Sequence, residues 1–81
     1  MLKGVRVMEQ FPRISHNSEV MGGKACIAGT RVTVSMILMH ISEGISINDI
    51  IDDYPYLTKD DIIEALKYAV WTVNAREAVL V

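Results

Sequence analysis

Residues 33–69 read TVSMILMHISEGISINDIIDDYPYLTKDDIIEALKYA, and this stretch decides the fold. Val34, Ile37, Leu38 and Ile41 recur at i, i+3, i+4 and i+7, the spacing that lines one side of an α-helix. Thr33 stands where a side-chain oxygen can accept a free N–H of the first turn, and Gly44 can end the helix in a left-handed conformation. Ser46-Ile47-Asn48-Asp49 is a variant capping box, followed by Ile47, Ile50, Ile51 and Tyr54 at the same apolar spacing. Pro55 stops this second helix, because a residue preceding proline disfavours helical ψ. Thr58-Lys59-Asp60-Asp61 repeats the box and opens a third helix, in which Ile62, Leu66, Ala69, Val70 and Val73 form the expected buried stripe.

The third helix, read from Lys59 to about Val79, would be roughly 31 Å long at about 1.5 Å per residue. Its neighbours are about half that length and cannot cover its distal part. Yet Ala69, Val70, Trp71, Val73, Ala75, Ala78, Val79, Leu80 and Val81 keep that part apolar on several sides. A helix apolar around most of its circumference buries itself against something else. Self-association, most simply a homodimer, or a protein partner is therefore expected.

Working outward toward the N-terminus, Gly22-Gly23 lies between Glu19-Val20-Met21 and Lys24-Ala25-Cys26-Ile27. Two glycines tolerate the positive φ of a two-residue turn, so a small β-hairpin is predicted here. Gly29-Thr30 then breaks the chain before the first helix. Val5 and Val7 suit a brief strand that Pro12 ends, and Met1 and Met8 are both readable as the start. The expected organisation is a 1–13 extension followed by a single 14–81 domain. Its class is mainly α, a hairpin and then three helices of helix-turn-helix type with a long C-terminal helix.

Composition agrees with one domain. The chain has 81 residues, 51% hydrophobic and 22% charged, with a mean hydropathy of +0.27, which is too apolar for disorder. No run approaches the roughly 18 to 20 apolar residues that cross a bilayer, so no membrane association and a cytoplasmic location are expected. The single cysteine, Cys26, excludes an internal disulfide and a cysteine-based zinc cluster. The net charge of −2 divides unevenly. Residues 1–40 hold five basic and two acidic groups, whereas residues 41–81 hold three basic and eight acidic ones. Any phosphate-binding surface belongs to the first half.

Candidate catalytic groups are His16, His40, Cys26, the Ser15-His16 pair, and the doublets Asp52-Asp53 and Asp60-Asp61. Adjacent helical residues point about 100° apart, so neither doublet makes a two-carboxylate site alone. Asp60 and Asp61 fit the first turn of a helix, where negative charge meets the dipole favourably. Cys26 reads as a small buried hydrophobe and His40 as a surface or interface residue beside Met36. No nucleophile–base set, metal spacing or glycine-rich phosphate loop is recognisable, which points away from an enzyme and leaves no cofactor expected. For nucleic acid, a short helix, a Tyr-Pro turn and a longer helix suit a helix-turn-helix with Lys59 at the start of the reading helix. Asp60 and Glu64 beside it oppose phosphate. The DNA candidates are therefore Arg13, Lys24 and Arg31, with Lys59 behind them, and a scaffold that touches no DNA is the competing reading. Arg31 has a structural alternative, tying the Gly29-Thr30 loop to carbonyls or to the acidic second helix.

For a protein interface, Tyr68, Trp71, Ala75 and Ala78 make a second apolar seam, which Met36 and Met39 of the first helix can extend. Trp and Tyr are enriched at binding hot spots, and methionine adapts to varied partners. The competing reading folds Trp71 onto the N-terminal strand.

The pattern GGKACIAGTRVTV, then a Tyr-Pro-Tyr-Leu-Thr turn, then ALKYA, resembles the domain-of-unknown-function family 433. The matching positions are Gly23, Lys24, Ile27, Gly29, Thr30, Arg31 and Val34, then Tyr54, Pro55, Leu57 and Thr58, then Ala65, Leu66, Tyr68 and Ala69. The resemblance covers about residues 14–70. Ala25 departs from it, standing where the family often has proline. The resemblance implies a winged or homeodomain-like helix-turn-helix with an N-terminal hairpin. It also implies the antitoxin half of a VapBC-like toxin–antitoxin pair, neutralising a PIN-like nuclease toxin, with its own promoter DNA as a further partner. A DNA-binding regulator without a toxin and a structural dimerisation module are the alternatives.

Overall fold

The computed structural model describes residues 5–80, with side chains over residues 9–77. Three strands, β1 (Val5–Met8), β2 (Phe11–Asn17) and β3 (Ala25–Ile27), precede three helices, α1 (Val34–Ser42), α2 (Ile47–Asp53) and α3 (Lys59–Leu80). The sheet is antiparallel in the order β1-β2-β3. The long central strand β2 lies against α3, β3 lies against α1, and the helices pack on one another.

The helix ends follow from local side-chain chemistry. Thr33 Oγ1 accepts from the Met36 N–H at 3.0 Å, and Ser46 Oγ accepts from the Asp49 N–H at 3.1 Å. Each such cap contributes about 1 kcal/mol. At the far end of α1, Gly44 (φ +86°) sends its N–H to Ile41 O while the Ile45 N–H bonds His40 O. This paired arrangement satisfies carbonyls that the helix itself leaves open. Thr58 and Asp61 exchange bonds, Thr58 N–H to Asp61 Oδ2 at 2.9 Å and Asp61 N–H to Thr58 Oγ1 at 3.1 Å.

The hairpin differs from the one that Gly22-Gly23 suggests. Met21, Gly22 and Gly23 take φ of +50°, +68° and +84° in a single turn of 3₁₀ helix, and Glu19–Met21 forms no strand. The partner of β3 is β2, in the register Ile14↔Ile27, Ser15↔Cys26 and His16↔Ala25. That register puts Ile14 and Ile27, 0% and 3% exposed, on the same buried face. A shift by one residue would turn them to water, so the apolar pattern overrides the turn signal. Nor does Pro12 end the first strand. It sits inside β2, where the pairing with β1 is irregular and the missing N–H interrupts no ladder bond. The sheet therefore runs across residues 13 and 14.

The core is Phe11, Ile14, Cys26, Ile27, Val32, Val34, Ile37, Ile50, Leu57, Ile62 and Ala65. On α3 the buried line is Ile62 and Ala65, continued by half-buried Tyr68 and Ala69. The expected stripe through Val70 and Val73 is thus misplaced, for they are 61% and 54% exposed. Steps of four residues drift about 40° around a helix, and the drift carries them off the face that β2 and α1 cover. α3 has 22 residues, against nine in α1 and seven in α2. At about 1.5 Å per residue it spans roughly 33 Å, and all of residues 70–77 are exposed. Among the described residues no helix is long and apolar enough to cross a membrane.

Candidate functional site

Three aromatic rings meet where β2 crosses α3. Phe11 contacts Tyr68 and Trp71 edge-on, with centroids 5.4 and 5.8 Å apart, and Tyr68 lies 6.1 Å from Trp71. The β2 start supplies Phe11, and the i, i+3 spacing of Tyr68 and Trp71 puts both on its side of α3. Trp71 leans on the strand, as one reading of the sequence has it, yet remains 41% exposed. Tyr68 is half-buried and fixed from the sheet. His16 donates Nδ1–H to Gly23 O at 3.0 Å, and its Nε2 is hydrogen-bonded to the Tyr68 hydroxyl at 3.2 Å.

The other seam residues divide. Ala75 is exposed, continuing from Trp71 by one turn, and the side chain of Ala78 lies outside the described residues. Met39 is 58% exposed. Met36 is half-buried against the core, and its sulfur accepts from the Tyr54 hydroxyl at 3.2 Å. The first turn of α1 aims it at α2 rather than outward.

Arg13 is likewise committed within the chain. Its Nη1 lies 2.9 Å from Asp61 Oδ1, with Asp60 and Glu64 carboxylates at 3.9 and 4.0 Å, and its backbone N–H donates to Glu64. The bond to Asp61 raises the guanidinium pKa still further. Partial burial pushes the Asp61 carboxyl up, but the Thr58 N–H and the guanidinium of Arg13 outweigh it and leave it below the ordinary range. An arginine among three acids is a poor phosphate ligand, so Arg13 drops out of the DNA candidates on charge. The same acids flank Lys59, exposed at the head of α3.

Lys24 and Arg31 are exposed and pair with no carboxylate among the described residues. The structural alternative for Arg31 is filled by its neighbour. Thr30 Oγ1 donates to Ile27 O at 2.8 Å and accepts from the Val32 N–H at 3.0 Å, latching the loop alone. Arg31 instead borders a cleft of about 470 Å³ with Ser15, Asn17 and Thr30, and on its other side stands exposed Tyr56.

The catalytic candidates are scattered. Ser15 and His16 neighbour each other on β2 and point to opposite faces, and both ring nitrogens of His16 are engaged. His40 donates Nδ1–H to Met36 O at 2.7 Å. Cys26 is 2% exposed, and burial pushes its thiol pKa up. Among the described residues no three His, Cys, Asp or Glu side chains gather as a metal site.

A second surface, unmarked by any motif, adjoins the aromatic cluster on α3 and shares Tyr68 and His16 with it. A groove of about 410 Å³ runs between β3, α1 and α3, bordered by Lys24, Ala25, Val34, Leu38, Ala69 and Val73. Its parts, from His16 to Val73, are up to 57 residues apart in sequence, so no local pattern announces it; the exposed leucine and valine of two facing helices are its trace.

The family profile described as "Protein of unknown function (DUF433)" matches residues 14–69. No curated protein and no solved structure matches the chain.

Proposed function

The chain belongs to the DUF433 family, and from that premise we propose that it is a non-enzymatic interaction module, the antitoxin half of a pair that binds and neutralises a PIN-like nuclease toxin. The observation that supports this reading is the distal part of α3, where every residue from 70 to 77 is exposed and Val70, Trp71 and Val73 are among them. Covering the open two fifths of Trp71, roughly 100 Å² of ring, contributes about 2.5 kcal/mol, a hot-spot magnitude. In this reading the working form is a homodimer, and Tyr68, Trp71 and Ala75 provide the contact. The three helices, with the Tyr54–Thr58 turn before α3, act as a helix-turn-helix scaffold.

The test is co-expression with the product of the neighbouring reading frame, followed by sedimentation of each species. Trp71→Ala and Ala75→Glu are expected to abolish co-purification or convert the dimer to monomer, with the thermal melt showing that the fold survives. Unchanged sedimentation and capture in both variants would overturn the reading. Promoter DNA is a second partner favoured by one observation, the unpaired Lys24 and Arg31 in an acidic chain. Titration of the upstream duplex should then give an affinity that falls steeply with salt and falls again in Arg31→Ala. Binding without salt dependence, or none, removes DNA from the account.

A further inference from the structure

We propose that the groove between β3, α1 and α3 docks an amphipathic helical segment of a partner protein whose apolar face is edged by carboxylates. The proposal rests on the interaction-module reading and adds a surface that adjoins the Trp71 seam and shares Tyr68 with it.

The walls of the groove are largely aliphatic, Ala25 from β3, Val34 and Leu38 from α1, Ala69 and Val73 from α3, with the bonded His16–Tyr68 pair and the hydroxyls of Ser35 and Thr72 beside them. Leu38 is 38% and Val73 54% exposed, so an apolar occupant gains area on both walls. Two facing helices with a strand as floor make a trough, the shape that receives a helix by its i, i+3 and i+4 anchors.

Charge selects the occupant. Asp and Glu outnumber Lys and Arg ten to eight in the chain, yet none of the residues bordering this groove is acidic. Lys24 stands on its rim. Arg76 follows Ala69 by seven residues, Thr72 by four and Val73 by three, which places it on the same side of α3 just past the groove. Both are exposed, and neither pairs with a carboxylate among the described residues, in contrast to Arg13 with three acids around it. The trough thus has mainly apolar walls, with the His16–Tyr68 pair among its lining, and unneutralised cations at its edge. A second copy of this chain is the poorer fit. A two-fold contact along this side of α3 would bring Arg76 of each copy toward Lys24 and Arg76 of the other, like charge on like.

The experiment titrates two synthetic helical peptides into the isotope-labelled full chain and follows backbone amides by NMR. Both carry leucines at i, i+3, i+4 and i+7, one flanked by glutamates and one by lysines. The glutamate-edged peptide is expected to give saturating shifts at Ser35, Leu38, Ala69 and Val73, and to bind about tenfold more tightly than the lysine-edged one. The surface variant Lys24→Glu/Arg76→Glu should reverse that preference, and Leu38→Glu should abolish binding of either peptide. Equal binding of the two peptides, or shifts confined to other residues, would overturn the proposal. So would a native dimer that Leu38→Glu converts to monomer, since a second copy would then fill the groove, or binding of anionic phosphatidylserine vesicles in place of the peptide. None of these readouts involves Trp71, so loss of the toxin-binding reading would show separately, in the Trp71→Ala co-purification.

Discussion

The guanidinium of Arg13 bridges from the sheet to the first turn of α3, where Asp61 serves two partners at once. One carboxylate oxygen takes the Thr58 N–H, and the other takes Arg13 Nη1. Because the folded carboxyl titrates below its unfolded value, the associated stability is present above the ordinary carboxylate range and is lost as pH falls through the depressed value. Asp61→Asn keeps an oxygen for Thr58 but carries no charge. Its unfolding free energy, measured by denaturant titration from neutral to strongly acidic pH, should therefore fall less steeply than that of the parent. Parallel acid limbs would show that the charge contributes nothing. Solvent screens the exposed guanidinium, so the effect is expected in the slope more than in the stability at neutral pH.

At the scale of the element, what was legible depended on how far apart the deciding residues lie. Thr33, Ser46, Thr58 and Gly44 act on backbone groups within about four residues, so all three helices could be bounded from the sequence. The register of β2 with β3 depends on Ile14 finding Ile27, and a nearby glycine pair gave a stronger local signal for the wrong turn. The buried line of α3 was legible at Ile62, Leu66 and Ala69 but misread at Ala65, Val70 and Val73, for a related reason: sequence spacing permits several stripes, and the positions of β2 and α1 choose between them. The interface candidates were legible as residue types, whereas the committed roles of Met36 and Arg13 needed partners 18 and up to 51 residues away. Two substitutions test the elements. Gly44→Ala meets no atom within 4 Å, so its cost comes from the left-handed backbone alone, about 1 kcal/mol by denaturant titration. Ile62→Ala empties a fully buried site and should cost about 2–5 kcal/mol. A smaller loss at Ile62 than at Gly44 would contradict the assigned core.

For the whole molecule, the radius of gyration is 13.0 Å, against about 11.7 Å expected for a compact chain of this length. The described part of that extension is α3, which continues beyond both shorter helices. If a second copy shields its distal face, the melting temperature should rise with protein concentration, by a few degrees for each tenfold step. A melting temperature independent of concentration would leave that face to a different partner or to water. The family-matched span, 14–69, omits both this distal face and the first half of β2.

Phe11 and Arg13 lie just upstream of that matched span, and together they fasten the central strand to the closing helix. The smallest autonomous unit is therefore expected to be longer than the signature by which kinship is recognised. A polypeptide trimmed to 14–69 retains each signature residue but forfeits the clasp, and we expect it to lose its cooperative melting transition. Restoring residues 5–13 alone should bring the transition back.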